Sequence, residues 1–64
     1  MARAEQFAHE IRFLPIDELQ EMQRGLSADA AASPSDKFRA ECQVNLDLIG
    51  SELTRRAELA EKNA

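Results

Sequence analysis

The chain has 64 residues and a mass of 7.2 kDa. That is enough for one small domain but too short for most nucleotide and cofactor folds, because a single βαβ unit already takes about 30 residues. Apolar residues make up 44% of the sequence and charged residues 31%, which is typical of a globular protein. Twelve acidic residues outnumber eight basic ones, giving a formal net charge of −4. This acidity argues against nucleic acid as a partner, since such binding rests largely on neutralising phosphates.

Cysteine content and hydropathy indicate the cellular compartment of the protein. Cys42 is the single cysteine, so an internal disulfide is excluded. No run of about 18 apolar residues is present, and we therefore expect no membrane span. The charged first ten residues lack the apolar segment of a secretory signal. Together these features predict a cytoplasmic protein.

Residues 2–25 predict a first helix, because they are rich in Ala, Glu, Gln, Arg and Leu. Pro15 predicts a kink or a break at 14–15, since proline lacks a backbone donor and disfavours the helical conformation of Leu14. Gly25 is the expected residue just beyond the helix end. The apolar residues of this segment recur at helical spacing and form one stripe: Phe7, Ile11, Leu14, Leu19, Met22 and Leu26.

Residues 26–33 are small and polar and predict a loop. A second helix follows over about 34–62, with Ser33 as N-cap and Pro34 in the first turn, or with Ser35 as an alternative cap. Three charge pairs lie at the i,i+4 spacing that supports a helix: Lys37–Glu41, Glu52–Arg56 and Glu58–Lys62. The apolar stripe of this helix is close to a heptad pattern: Phe38, Cys42, Leu46, Ile49, Leu53, Ala57 and Ala60.

Two amphipathic helices joined by a loop predict an all-α antiparallel hairpin, a single domain spanning residues 1–64. Chains below about 70 residues usually need disulfides, metals or oligomerisation to stabilise their fold. With the first two excluded here, the sequence predicts a homodimer with a four-helix bundle. This shape is similar to that of small antiparallel helical-hairpin dimers, a likeness that transfers no function.

Five apolar residues lie off the two stripes and form a candidate partner or dimer interface. On the first helix they are Phe13 and Ile16, and on the second they are Val44, Leu48 and Leu59. The alternative is that they are scattered, exposed aliphatic residues of the kind every small protein carries. Gly50 has two interpretations as well: a close approach of the two helices, or a tolerated helix glycine.

The sequence offers little catalytic chemistry. His9 lies on the polar side of the first helix and Cys42 on the apolar stripe of the second, so the two do not converge on a metal. The acidic residues Asp17, Glu18 and Glu21 form a cluster that is typical of a solvated first helical turn. We therefore expect neither enzymatic activity nor a cofactor.

Three hypotheses remain for the function. The leading one is a protein–protein interaction module: a small dimeric adaptor, chaperone or inhibitor that binds a partner protein through an apolar helix face. The second is an acidic decoy, such as a phage or other mobile element would encode, that occupies a basic nucleic-acid-binding protein. Its contact residues would be Asp17, Glu18, Glu21 and Asp29. A small nucleic-acid-binding regulator is the third, and the net charge argues against it.

Overall fold

A computed structural model describes residues 3–62 and shows an all-helical chain, as predicted. Three helices follow in order: α1 (Arg3–Ile11), α2 (Ile16–Ala32) and α3 (Asp36–Lys62). Both α1 and α2 pack against α3. None of the three is long and apolar enough to cross a membrane.

The first predicted helix is divided at the position of Pro15. α1 ends at Ile11, and the chain then turns through three i→i+3 backbone hydrogen bonds, the last from Leu14 N to Ile11 O at 3.3 Å. Pro15 is the N-cap residue of α2, with φ −62° and ψ 154°, and Leu19 N donates to its carbonyl at 3.1 Å. The imino acid therefore ends one helix and begins the next.

The loop predicted at 26–33 is wrong, because α2 continues through this segment to Ala32. Alanine is the best helix former, and residues 28–32 contain four alanines. Gly25 consequently lies inside α2 without a positive φ, and does not end the helix. α2 stops where Ser33 takes an extended conformation (φ −83°, ψ 132°), as expected of a residue that precedes proline.

The connection between α2 and α3 is only three residues long, and Ser35 is the cap of α3. Phe38 N donates to Ser35 Oγ at 3.2 Å, and Arg39 N donates to Ser35 O at 3.0 Å. Ser33 Oγ accepts from Ser35 N at 3.1 Å and so stabilises the connection. The alternative cap is therefore the observed one, and α3 begins two residues later than the first-named cap implies.

The core is small and lies where the three helices meet. Ile11 from α1, Leu19 from α2 and Ile49 from α3 are buried together, with further apolar side chains packed around them: Phe7, Leu14, Met22, Leu26, Leu48 and Leu53. Cys42 is also buried, with its thiol free. The predicted stripe of α3 is wrong towards both ends of the helix, because the core is centred on Ile49, midway along α3. Phe38 is 41% exposed, and Ala57 and Ala60 are exposed as well.

The chain is extended for its mass. Its accessible surface is 4914 Å², whereas a folded monomer of 7.2 kDa is expected to expose about 4,100 Å². Its radius of gyration is 12.9 Å, compared with about 11 Å for a compact domain of this length. Both values describe an elongated molecule, which exposes more surface than a compact one of the same mass.

Candidate interaction surface

A salt-bridged cluster joins α3 to the end of α1. Arg56 Nη2 donates to Ile11 O at 3.1 Å and to Arg12 O at 3.2 Å. In a continuous helix Ile11 O would accept from residue 15, but Pro15 has no N–H. Leu14 N donates to Ile11 O at 3.3 Å instead, and the guanidinium adds a second donor. A cation at a helix C-terminus is also favoured by the helix dipole. Arg56 therefore stabilises the break that proline creates.

Glu52 holds the two arginines in place from a nearly buried position. Its Oε2 accepts from Arg56 Nε at 2.7 Å and from Arg55 Nη2 at 2.7 Å, and its Oε1 accepts from Arg55 Nε at 3.0 Å. The hydrogen bond from Arg55 lowers the pKa of Glu52 to about 2, against an opposing effect of burial. The Glu52–Arg56 pair was predicted from its spacing, and the structure confirms it.

The reach of Arg56 across to α1 could not be predicted. Its carbonyl partners are 44 and 45 residues away in the sequence, and no local pattern links them. The one usable signal was Pro15 itself, since a proline in a helical segment removes a backbone donor and changes the partners of the carbonyl four residues earlier.

A cleft of about 210 Å³ lies between α1 and α3, beside this cluster. Ile11 and Leu48 form part of its wall, and Arg12 and Arg55 also line it. The cleft is open to solvent, and its volume is comparable with that of an enclosed apolar cavity of about 150 Å³ that holds benzene. It adjoins the core, because Ile11 belongs to the buried cluster and Leu48 packs against it.

The corner between α1 and α2 presents an exposed aromatic side chain. Phe13 is 76% exposed, and its ring meets that of His9 edge-on, with the centroids 5.3 Å apart. Pro15 and Ile16 next to it are also exposed. We call Phe13, Pro15 and Ile16 the Phe13 corner. An exposed phenylalanine on a rigid turn is the type of residue that anchors protein interfaces.

The other predicted interface residues are divided between the surface and the core. Val44 is 48% exposed and Leu59 is 43% exposed, whereas Leu48 is half-buried against the core. At about 100° per residue these three fall within roughly 60° of arc on α3. We call them the α3 stripe. The structure thus leaves two apolar surfaces, the Phe13 corner and the α3 stripe, with the cleft at Leu48.

The acidic residues share one side of α2. All four are exposed: Asp17, Glu18, Glu21 and Asp29. At about 100° per residue they occupy roughly a third of the helix circumference, next to the face that carries Met22 and Leu19. Asp17 and Glu18 lie in the first turn of α2, where negative charge is favoured by the helix dipole.

The residues considered for metal chemistry lie apart. His9 is exposed on α1, and Cys42 is buried on α3. Within the part of the chain that the structure describes, no three His, Cys, Asp or Glu side chains come together as a metal site.

No family model matches the chain, and no curated protein and no solved structure shows significant similarity to it. The exposed side chains of the chain are therefore the basis for assigning its function.

Proposed function

We propose that this chain is a non-enzymatic protein–protein interaction module, a helical hairpin that dimerises and binds a partner protein through an apolar helix face. The observation that carries the proposal is the exposure of large apolar side chains in a chain with so small a core. Five are at least 41% exposed: Phe13, Ile16, Phe38, Val44 and Leu59. Burying apolar surface contributes about 25 cal/mol per Å², so such a surface favours association.

In this proposal α2 and α3 form the hairpin, and a second hairpin completes a four-helix bundle. The short connection at 33–35 and the packing of α2 on α3 support the hairpin. The exposed apolar side chains support the second copy, since covering them would be favourable and an elongated chain offers the surface of about 800 Å² that one partner buries in a standard interface. A helix face with apolar anchors at Val44 and Leu59 then serves the partner protein.

Affinity capture from the native host tests the partner face. The wild-type chain and the double variant Val44→Glu/Leu59→Glu are used as baits, with captured proteins identified by mass spectrometry. Thr54→Glu is the matched control, because Thr54 is exposed on α3 outside the α3 stripe. We expect the control to retain the partner and the double variant to lose it while keeping its helical circular dichroism. Recovery of the same proteins by all three baits contradicts the proposal.

A second candidate, the acidic decoy, is supported by the arrangement of four exposed acids on one side of α2. Binding through these charges would weaken steeply as salt is added, because exposed charges are screened within about 8 Å at physiological ionic strength. Binding through the α3 stripe would change little with salt. The dissociation constant of the captured partner, measured at low and high salt, separates the two functions.

A further inference from the structure

We infer that a second copy of this chain docks reciprocally, with Phe13 of each copy inserted into the α1–α3 cleft of the other. This inference rests on the proposed homodimer and assigns its contact. The chain carries both a projecting aromatic ring and an apolar cleft that can hold one. Phe13 is 76% exposed, and the cleft walled by Ile11 and Leu48 measures about 210 Å³.

The two features lie side by side, as a twofold contact requires. Arg12 lines the cleft, and Phe13 is the next residue. In a symmetric dimer the same patch serves both partners, so that residue i meets residue j and residue j meets residue i. Because Phe13 lies next to the cleft of its own chain, a twofold axis near both places it at the cleft of the second copy. The same axis places Phe13 of the second copy at the cleft of the first. The contact closes and does not propagate into a filament.

The charges around the two features are complementary. The cleft is bordered by Arg12, Arg55 and Glu52, and Glu52 is paired with both Arg55 and Arg56, so this group keeps a net positive charge. The segment after the Phe13 corner opens with Asp17 and Glu18. Docking the corner of one copy on the cleft of the other brings acids towards arginines on both sides of the axis. Opposite charges at an interface rim favour the correct register and increase the association rate.

The area available also fits a second copy. The chain exposes 4914 Å² in an elongated shape, and a standard interface needs about 800 Å² on each partner, so the surface that a second copy requires is accessible. A short peptide in the cleft would cover only part of this surface. The second copy covers the corner, the cleft and the neighbouring part of the α3 stripe together.

Two variants with matched controls test this contact by sedimentation equilibrium across the micromolar range. Phe13→Ser removes the ring, and Ser51→Phe fills the cleft from its own chain, since Ser51 lines it. Phe38→Ser and Thr54→Phe make the same exchanges at exposed positions outside the cleft. We expect Phe13→Ser to raise the dimer dissociation constant by at least about 30-fold for each ring removed, and Ser51→Phe to raise it as well. The two controls should remain dimeric.

A photo-crosslinking amino acid in place of Phe13 identifies what the ring touches. Copies labelled with ¹⁵N and unlabelled copies are mixed, so that mass spectrometry separates crosslinks between chains from those within one chain. We expect crosslinks between chains to Leu48 or Ser51. If Phe13→Ser dimerises like the wild type, or if crosslinks from position 13 never reach the cleft of another chain, this contact is wrong while the dimer stands. If the wild-type chain is monomeric, the homodimer of the proposed function fails and this contact fails with it.

Discussion

At the scale of single residues, Arg56 links α3 to the end of α1. Pro15 removes the donor that Ile11 O would use in a continuous helix, and Arg56 supplies another at 3.1 Å. Glu52 in turn keeps the guanidinium oriented through Nε. Substituting one residue of this group should therefore weaken the packing of α1 on α3 and leave α2 and α3 helical.

The variant Arg56→Gln tests this role. It removes the charged donor to two carbonyls, and hydrogen bonds to charged groups are worth about 1.5–3 kcal/mol. We expect the free energy of unfolding to fall by about 1–3 kcal/mol, measured by urea denaturation at fixed protein concentration. Arg39→Gln is the control, since Arg39 pairs with Asp36 on the surface and such pairs contribute under about 1 kcal/mol. Equal losses in the two variants contradict the role of Arg56.

The lowered pKa of Glu52 predicts how the free energy of unfolding depends on pH. Its pKa is lowered from 4.5 to about 2, chiefly by the hydrogen bond from Arg55. Because the folded pKa lies below the unfolded one, the stabilisation is complete above about pH 4.5 and is lost as the pH falls towards 2. Glu52→Gln should thus be less stable than wild type at pH 7, with a difference that shrinks over this window in urea titrations. A difference that stays constant from pH 7 to pH 2.5 rules out this account of Glu52.

At the scale of helices, the sequence predicted the break at Pro15 and the helical nature of both long segments. It missed the continuation of α2 to Ala32, because small residues satisfy a loop pattern and a helix pattern equally well. The predicted exposure of Phe13 follows from its position off the stripe, whereas the cleft beside it depends on how α1 crosses α3. Local periodicity carries no information on that crossing.

The start of α3 gives a test of the two alternative caps. Ser35 Oγ accepts from Phe38 N, as an N-cap does, whereas Ser33 Oγ bonds only within the connection. We expect Ser35→Ala to cost about 1 kcal/mol of unfolding free energy and Ser33→Ala to cost less. Urea denaturation of both variants gives the order, and a larger loss at Ser33 would assign the cap to the earlier serine.

Substituting either of the two helix glycines, Gly25 or Gly50, by alanine is expected to stabilise the protein. A Cβ built at Gly25 or at Gly50 meets no atom within 4 Å, so the close helix approach considered for Gly50 is not present within the chain. Alanine should raise the free energy of unfolding by about 0.5–1 kcal/mol at each site, because glycine loses more conformational freedom on folding. Thermal unfolding should then shift upward by roughly 2–8 °C. A lower melting temperature for Gly50→Ala contradicts this expectation.

At the scale of the whole molecule, the chain joins a small core to a large exposed surface. The buried apolar residues are Ile11, Leu19, Cys42 and Ile49, while Phe13 and four other large apolar side chains are exposed. An assembly that covers this surface also contributes to folding stability, since binding of the native state shifts the folding equilibrium. Stability and association are therefore expected to be coupled in this protein.

Sedimentation equilibrium of the wild-type chain at micromolar concentration tests the central claim most directly. The account predicts a folded particle of twice the 7.2 kDa chain mass, dissociating on dilution. A folded particle of 7.2 kDa throughout the micromolar range would contradict it.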